Sequence, residues 1–143
     1  MSGILLDTNV LSEFSRSAIP PDPNVKRWME SALPDVLFTS VLSIGEIRKG
    51  IELLDPGKKR SELEQWLDRD LNGWFGNNLL PVTKAIADRW GIFAARLQQQ
   101  GTTLGNIDGL LAATAFEHGL TVATRNTRHF EDIGVTLFDP WKS

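Results

Sequence analysis

Apolar residues recur along this chain in two rhythms. Short, mostly apolar runs at 4–6, 36–39, 79–82, 120–124 and 135–138 predict buried strands, the third weakened by Pro81. Between them, apolar side chains spaced three or four apart predict helices. Val25, Trp28, Met29 and Leu33 form one such stripe. Ile44, Ile47, Ile51 and Leu54 form another over 43–54, and Ile86, Trp90, Phe93 and Leu97 a third over 83–100. Over 61–75, Leu63, Trp66, Leu67, Leu71, Trp74 and Phe75 share a face opposite Glu62, Glu64, Asp68 and Arg69. Residues 8–16 predict a first short helix, and 106–118 a nearly all-apolar central one, stopped by Gly119. The prolines at 20, 21 and 23 make 17–23 a connector, and 58–60 reads as plain surface at a helix start. Short strands alternating with long helices imply crossover connections. The fold class is therefore α/β, a short, mostly parallel central sheet of four to five strands flanked by helices. Such sheets bind ligands beyond the carboxyl ends of their strands.

Composition narrows the chemistry that this edge can carry. At 143 residues, 41% hydrophobic and 23% charged, the chain reads as one globular domain over 1–143. It has no cysteine, which excludes disulfides, thiolate metal sites and a cysteine nucleophile. With only His118 and His129, a metal site would be built from carboxylates and would favour a hard cation such as Mg²⁺ or Mn²⁺. A net charge of −3 means that phosphate binding must come from a local basic patch or a bound cation. No apolar run approaches a membrane span, and residues 1–7 do not resemble a signal peptide, so a soluble cytoplasmic protein is expected.

Three acids follow or enter predicted elements at the same edge. Asp7 ends the first strand and reads equally well as a helix N-cap. Ser43 and Glu46 have the spacing of a capping box. Asp108 lies in an early turn that Asn106 could cap, where the helix dipole favours negative charge. Each bland reading is good singly. Together they would gather three like charges on one small sheet edge, and a cation is the economical way to neutralise them.

The ordered set Leu5-Leu6-Asp7-Thr8-Asn9-Val10-Leu11-Ser12, Ser43-Ile44-Gly45-Glu46-Ile47-Arg48-Lys49-Gly50, Asp108-Gly109-Leu110-Leu111-Ala112-Ala113 and Ala123-Thr124-Arg125-Asn126 resembles a PIN-domain ribonuclease. It is most similar to the VapC/FitB-type toxins of bacterial type II toxin–antitoxin modules, nearly end to end. The resemblance implies a PIN-like three-layer sandwich and a metal-dependent endoribonuclease acting on tRNA or rRNA. It implies Asp7, Glu46 and Asp108 as ligands of Mg²⁺ or Mn²⁺, Asn126 as completing the catalytic set, and Asn9 and Thr124 as supporting residues. It further implies a small VapB/FitA-type antitoxin and a homodimer. One departure stands out. Relatives often carry a fourth acid in the last segment, where this chain has Asn126 and His129.

Arg48, Lys49, Arg125, Arg128 and His129 flank these motifs and are candidate RNA contacts, although each also reads as a solvated surface residue. Two other classes compete. A haloacid-dehalogenase-like phosphatase would use Asp7 as nucleophile, but wants an acid where Asn9 stands. A catalytically silent partner-binding module would use Trp66 and Trp74 as a docking surface, a stripe that core packing explains as well.

Overall fold

Ile4, Leu5 and Leu6 are all buried, but they face opposite ways, and this alternation divides the molecule into layers. Ile4 and Leu6 join one apolar cluster, with Val10, Leu11, Ile47, Ile51 and Trp66. Leu5 joins the other, with Ile86, Phe93, Leu97, Leu111 and Val122. The structure, a computed structural model, describes residues 3–15 and 19–143.

The sheet has five strands: β1 (Ile4–Leu6), β2 (Leu37–Ser40), β3 (Leu79–Leu80), β4 (Thr121–Ala123) and β5 (Leu137–Phe138). Their order is β3-β2-β1-β4-β5, and every pairing is parallel. Among the described residues the α-helical segments are α1 (Thr8–Ser12), α2 (Pro23–Ser31), α3 (Val41–Glu52), α4 (Lys58–Gln65), α5 (Asn72–Phe75), α6 (Lys84–Gln99) and α7 (Asn106–His118). α6 and α7 pack on the Leu5 face, and α1, α2 and α3 on the Ile4/Leu6 face. This is the α/β sandwich expected, with a sheet that is parallel throughout. Connections run from β1 outward to β3, then return to the other side of β1. The reversal puts a crevice between the carboxyl ends of β1 and β4, where open parallel sheets bind ligands.

Several boundaries differ from the sequence expectation for identifiable reasons. The first helix ends at Ser12 rather than 16, with Ser15 Oγ donating back to Ser12 O; Arg16 lies outside the described residues, as do positions 17 and 18 of the connector. Leu33 is 71% exposed because α2 stops at Ser31 and Pro34 favours an extended residue before it. Between α4 and α5 the helix continues as a π-helical segment, Trp66–Leu71. Its wider turn breaks the 3.6-residue register. Trp66 and Leu71 stay in the core, whereas Trp74 rotates out to 56% exposure. Arg60 is more than helix-start surface: it bridges Glu52 and Glu64, and its Nη1 donates to Leu54 O.

The contact that seats α7 depends on a missing side chain. A Cβ on Gly109 would lie 2.9 Å from Cδ1 and Nε1 of Trp90 on α6. Gly109→Ala is expected to destabilise the fold by about 1–3 kcal/mol through overpacking. Urea unfolding checks this, and a shifted Trp emission spectrum should accompany it. An unchanged midpoint would show that the indole moves freely.

Candidate active site

Asp7 is the residue that the sheet fixes most firmly. Its N–H donates to Ala123 O at 2.9 Å, continuing the β1–β4 ladder one residue past Leu6. Its own carbonyl accepts from Val10 and Leu11, so the backbone does cap α1. The side chain goes further than a cap. Oδ1 accepts from Thr8 N at 2.7 Å, and Oδ2 accepts from Thr124 Oγ1 at 2.8 Å across the crevice. The residue is only 5% exposed. Burial pushes its carboxyl above the usual aspartate value, and the negative charges of Asp108 and Glu46 push the same way. The hydrogen bonds from Thr124 and Thr8 offset part of this.

Glu46 does not serve a capping box. α3 begins at Val41, and its N-cap is Ser40, whose Oγ accepts from Leu42 N. The helix starts two residues before the 43–54 expectation, so Ser43 and Glu46 lie inside it, and both meet Thr8 of α1. Thr8 Oγ1 donates to Glu46 Oε1 at 2.6 Å and lies 3.0 Å from Ser43 Oγ. A hydroxyl has one proton, so with the carboxylate taking it the Ser43 contact is accepted by Thr8. Thr8 and Ser43 are the site residues that sequence reasoning missed. The spacing of an acid, a hydroxyl and an amide at 7–9 resembled an ordinary cap, and only the packing of α1 on α3 makes the hydroxyl a bridge.

Asp108 sits in the first turn of α7, as its position predicted, but Asn106 is not the cap. Gly105 is the N-cap, with no side-chain bond. The Asp108 carboxylate instead meets a side chain from beyond β4: Oδ2 is 3.2 Å from His129 Nδ1. Asn9 and Thr124 both lie against Asp7. Asn9 Nδ2 lies 3.5 Å from Asp7 Oδ2 and 3.4 Å from Thr124 Oγ1, and its Oδ1 accepts from Arg125 N. The Asn126 backbone N–H donates to Thr124 Oγ1, and its side chain is in the exposed loop after β4.

The basic candidates divide. Arg48 forms an ion pair with Asp68, away from the crevice-facing hydroxyls. Lys49 lines a shallow groove with Glu46 and Ile107. Arg125, Arg128 and His129 border the loop after β4.

The charges of Glu46 on α3 and Asp108 on α7 thus act on Asp7, which follows β1, at a single sheet edge. Among the described residues, no three His, Asp or Glu side chains stand together as a group that could hold a metal ion. Thr8 holds Glu46, and His129 holds Asp108, in this arrangement. The donor chemistry nonetheless fits a hard divalent cation: oxygen ligands only, one of them buried, with mutual repulsion that a cation would relieve.

Thr124 is the hinge of this arrangement, since its Oγ1 both donates to Asp7 and accepts from Asn126 N. Thr124→Val keeps the shape and removes these two bonds together with the contact from Asn9 Nδ2. A loss of about 1–3 kcal/mol is expected from the unsatisfied groups, measurable by urea unfolding at neutral pH. A stability within about 0.5 kcal/mol of wild type would mean that water replaces the hydroxyl.

Comparison with known proteins agrees with this fold. The chain is 36% identical over 140 residues to Toxin FitB of Neisseria gonorrhoeae, covering 96% of this chain and 98% of that protein. It is 32% identical over 139 residues to the VapC ribonuclease Y4jK of Sinorhizobium fredii, covering 97% and 98%. Among solved structures, the crystal structure of FitAcB from Neisseria gonorrhoeae superposes with a TM-score of 0.89 at 35% identity, covering 98% of this chain and 99% of that one. The family model described as PIN domain matches residues 4–135, and on that span, with these relatives, the chain belongs to the PIN domain family.

Proposed function

We propose that this chain is an endoribonuclease toxin of a bacterial toxin–antitoxin module, a single domain over 1–143 that hydrolyses RNA phosphodiester bonds with the help of Mg²⁺ or Mn²⁺. The observation that carries the reading is the buried Asp7, raised in pKa by burial and by the charges of Glu46 and Asp108, at the β1/β4 crevice of a PIN domain. The names of the relatives, a toxin and a ribonuclease, support it. tRNA or rRNA are the expected targets. A small VapB/FitA-type antitoxin and a second copy of the chain are the expected partners.

Asp7, Glu46 and Asp108 would hold the cation. When bound, it supplies Lewis-acid stabilisation of the phosphoryl oxygens and eases deprotonation of a water. The protein's part is positioning and proton handling. Thr124 and Asn9 fix the Asp7 carboxylate in one rotamer, so that its orientation costs nothing at the moment of reaction. Thr8 holds Glu46 through Oε1, and Glu46 accepts the proton of the attacking water. Asn126 and His129, at the mouth of the crevice, contact the RNA. A phosphatase using Asp7 as nucleophile is disfavoured, because Asn9 is committed as a neutral partner of Asp7, Thr124 and Arg125 rather than acting as a second acid.

The test is cleavage of total RNA by the purified chain with Mg²⁺ or Mn²⁺ and with excess chelator. Products carrying 5′-phosphate and 3′-hydroxyl ends, formed only with metal, are expected. Cleavage that persists in chelator, or cyclic phosphate ends, would overturn the mechanism.

A further inference from the structure

Beyond the carboxylates, the loop after β4 and the C-terminal turn Pro140–Lys142 enclose an open cavity of about 400 Å³. On a chain of net charge −3, its lining holds Arg125, Arg128 and Lys142 against one carboxylate, Asp139. Asp139 is already engaged, with Oδ1 accepting the Trp141 N–H at 2.9 Å. Arg48, Arg60 and Arg89 each pair with an acid elsewhere. Among the described residues, Arg125, Arg128 and Lys142 have no such partner. The Arg125 guanidinium instead lies over the Trp141 ring, 5.3 Å from its centroid, and Trp141 packs against the apolar cluster beneath β1.

This cavity adjoins the carboxylates directly. The Arg125 N–H is held by Asn9, which contacts Asp7, and the cavity residue His129 meets Asp108. A strand of RNA with a phosphate at Asp7 can continue directly along the basic lining. The acidic edge alone repels a polyanion, and a concentrated positive surface beside it steers the strand in. A guanidinium stacked on an aromatic ring is ordered in advance, and its fork matches phosphate oxygens two at a time. The volume lies in the range of small-molecule sites.

We propose that this cavity is a nucleotide subsite for the RNA flanking the scissile phosphate. Arg125, Arg128 and Lys142 bind its phosphate oxygens, and Trp141 is a positioning residue that holds the Arg125 guanidinium. The inference rests on the ribonuclease reading and adds the residues that grip the substrate. An acidic protein segment is the competing occupant; the adjacency of the cavity to Asp7 and Asp108, through Asn9 and His129, favours RNA.

Fluorescence anisotropy of a labelled single-stranded RNA, titrated with the Asp7→Asn protein over a range of salt, tests this. Arg125→Ala and Lys142→Ala are each expected to weaken binding about tenfold. Each should flatten the slope of log affinity against log salt by about 0.7. Trp141→Leu keeps an apolar side chain in the cluster but removes the ring, and should weaken binding as much as Arg125→Ala. Trp141→Phe should restore it to within about twofold. In the Arg125→Ala background, Trp141→Leu should add nothing. With Asp7 restored, the cavity variants should raise KM and leave kcat within about threefold of wild type.

Unchanged affinity and salt slope in Arg125→Ala and Lys142→Ala would overturn the subsite. So would an absence of RNA binding by the Asp7→Asn protein, or equal competition by a polyglutamate of matched charge. The two readings fail separately. If the chain cleaves RNA and these variants keep wild-type KM, only the subsite fails. If the variants lose RNA binding but the unaltered chain cleaves nothing with either metal, only the hydrolytic reading fails.

Discussion

Asp7→Asn is expected to lower RNA cleavage by about 10²–10³-fold, the scale of losing a preorganised charged group at a reacting centre. The same substitution is expected to raise the melting temperature of the metal-free protein at neutral pH. The two effects have one cause. Burial, first, and the charges of Asp108 and Glu46, second, hold the Asp7 carboxyl above its ordinary value of 3.8. The folded state therefore binds this proton more tightly than the unfolded chain does. Below pH 3.8 the resulting stabilisation is fully present, and it is lost as the pH rises through the folded pKa. At neutral pH the ionised group burdens the fold. Asparagine removes the charge and still offers an oxygen to Thr8 N, while the Thr124 hydroxyl can turn to accept from the new amide. Thermal melts in chelator from pH 4 to pH 8 check this. The gap between variant and wild type should widen with pH, and a variant that melts lower at pH 7 would contradict the electrostatic account.

Adding a divalent cation to the wild-type protein is expected to stabilise it strongly. At a metal concentration of one hundred times Kd the gain is about 2.7 kcal/mol, or roughly 10 °C in melting temperature for a chain of this size. The cation replaces a repulsion with an attraction, so the stability lost on ionising Asp7 returns when metal binds. Affinity should fall as the pH drops, because the ligands must shed their protons and Asp7 does so later than an ordinary aspartate. Asp7→Asn should abolish most of the shift. Melts with Mg²⁺ and Mn²⁺ against chelator provide the measurement. An equal shift in both proteins would place the cation elsewhere on the surface.

Much of the architecture was legible because burial follows local rhythm. Ile86, Phe93 and Leu97 lie on one face of a 3.6-residue helix wherever that helix packs, and all three are buried. Thr83 and Gly119 bound α6 and α7, as hydroxyl caps and left-handed glycines commonly do. The misreadings arose where a tertiary contact reset the local register. Ser40 and Ser43 are both plausible caps in sequence, and Ser40 takes the role because β2 runs on to that residue to pair with Leu80 of β3. Trp74 belonged to the 61–75 stripe by spacing, until the π-helical turn rotated it to solvent.

The sequence by itself determined the alternation of strands and helices, the restriction to oxygen ligands, and the presence of an acid at the end of β1 and another at the start of α7. Those properties reside in single residues and their near neighbours. Only the tertiary structure decided that Thr124 would bond Asp7 and that the charges of Glu46 and Asp108 would act on it at one sheet edge. That arrangement depends on the strand order β3-β2-β1-β4-β5 and on α1 packing against α3. Pairing between segments more than a hundred residues apart leaves no mark on local periodicity. It is set by which buried faces fill one another, and that choice turned an aspartate resembling a helix cap into the buried centre of a charged site.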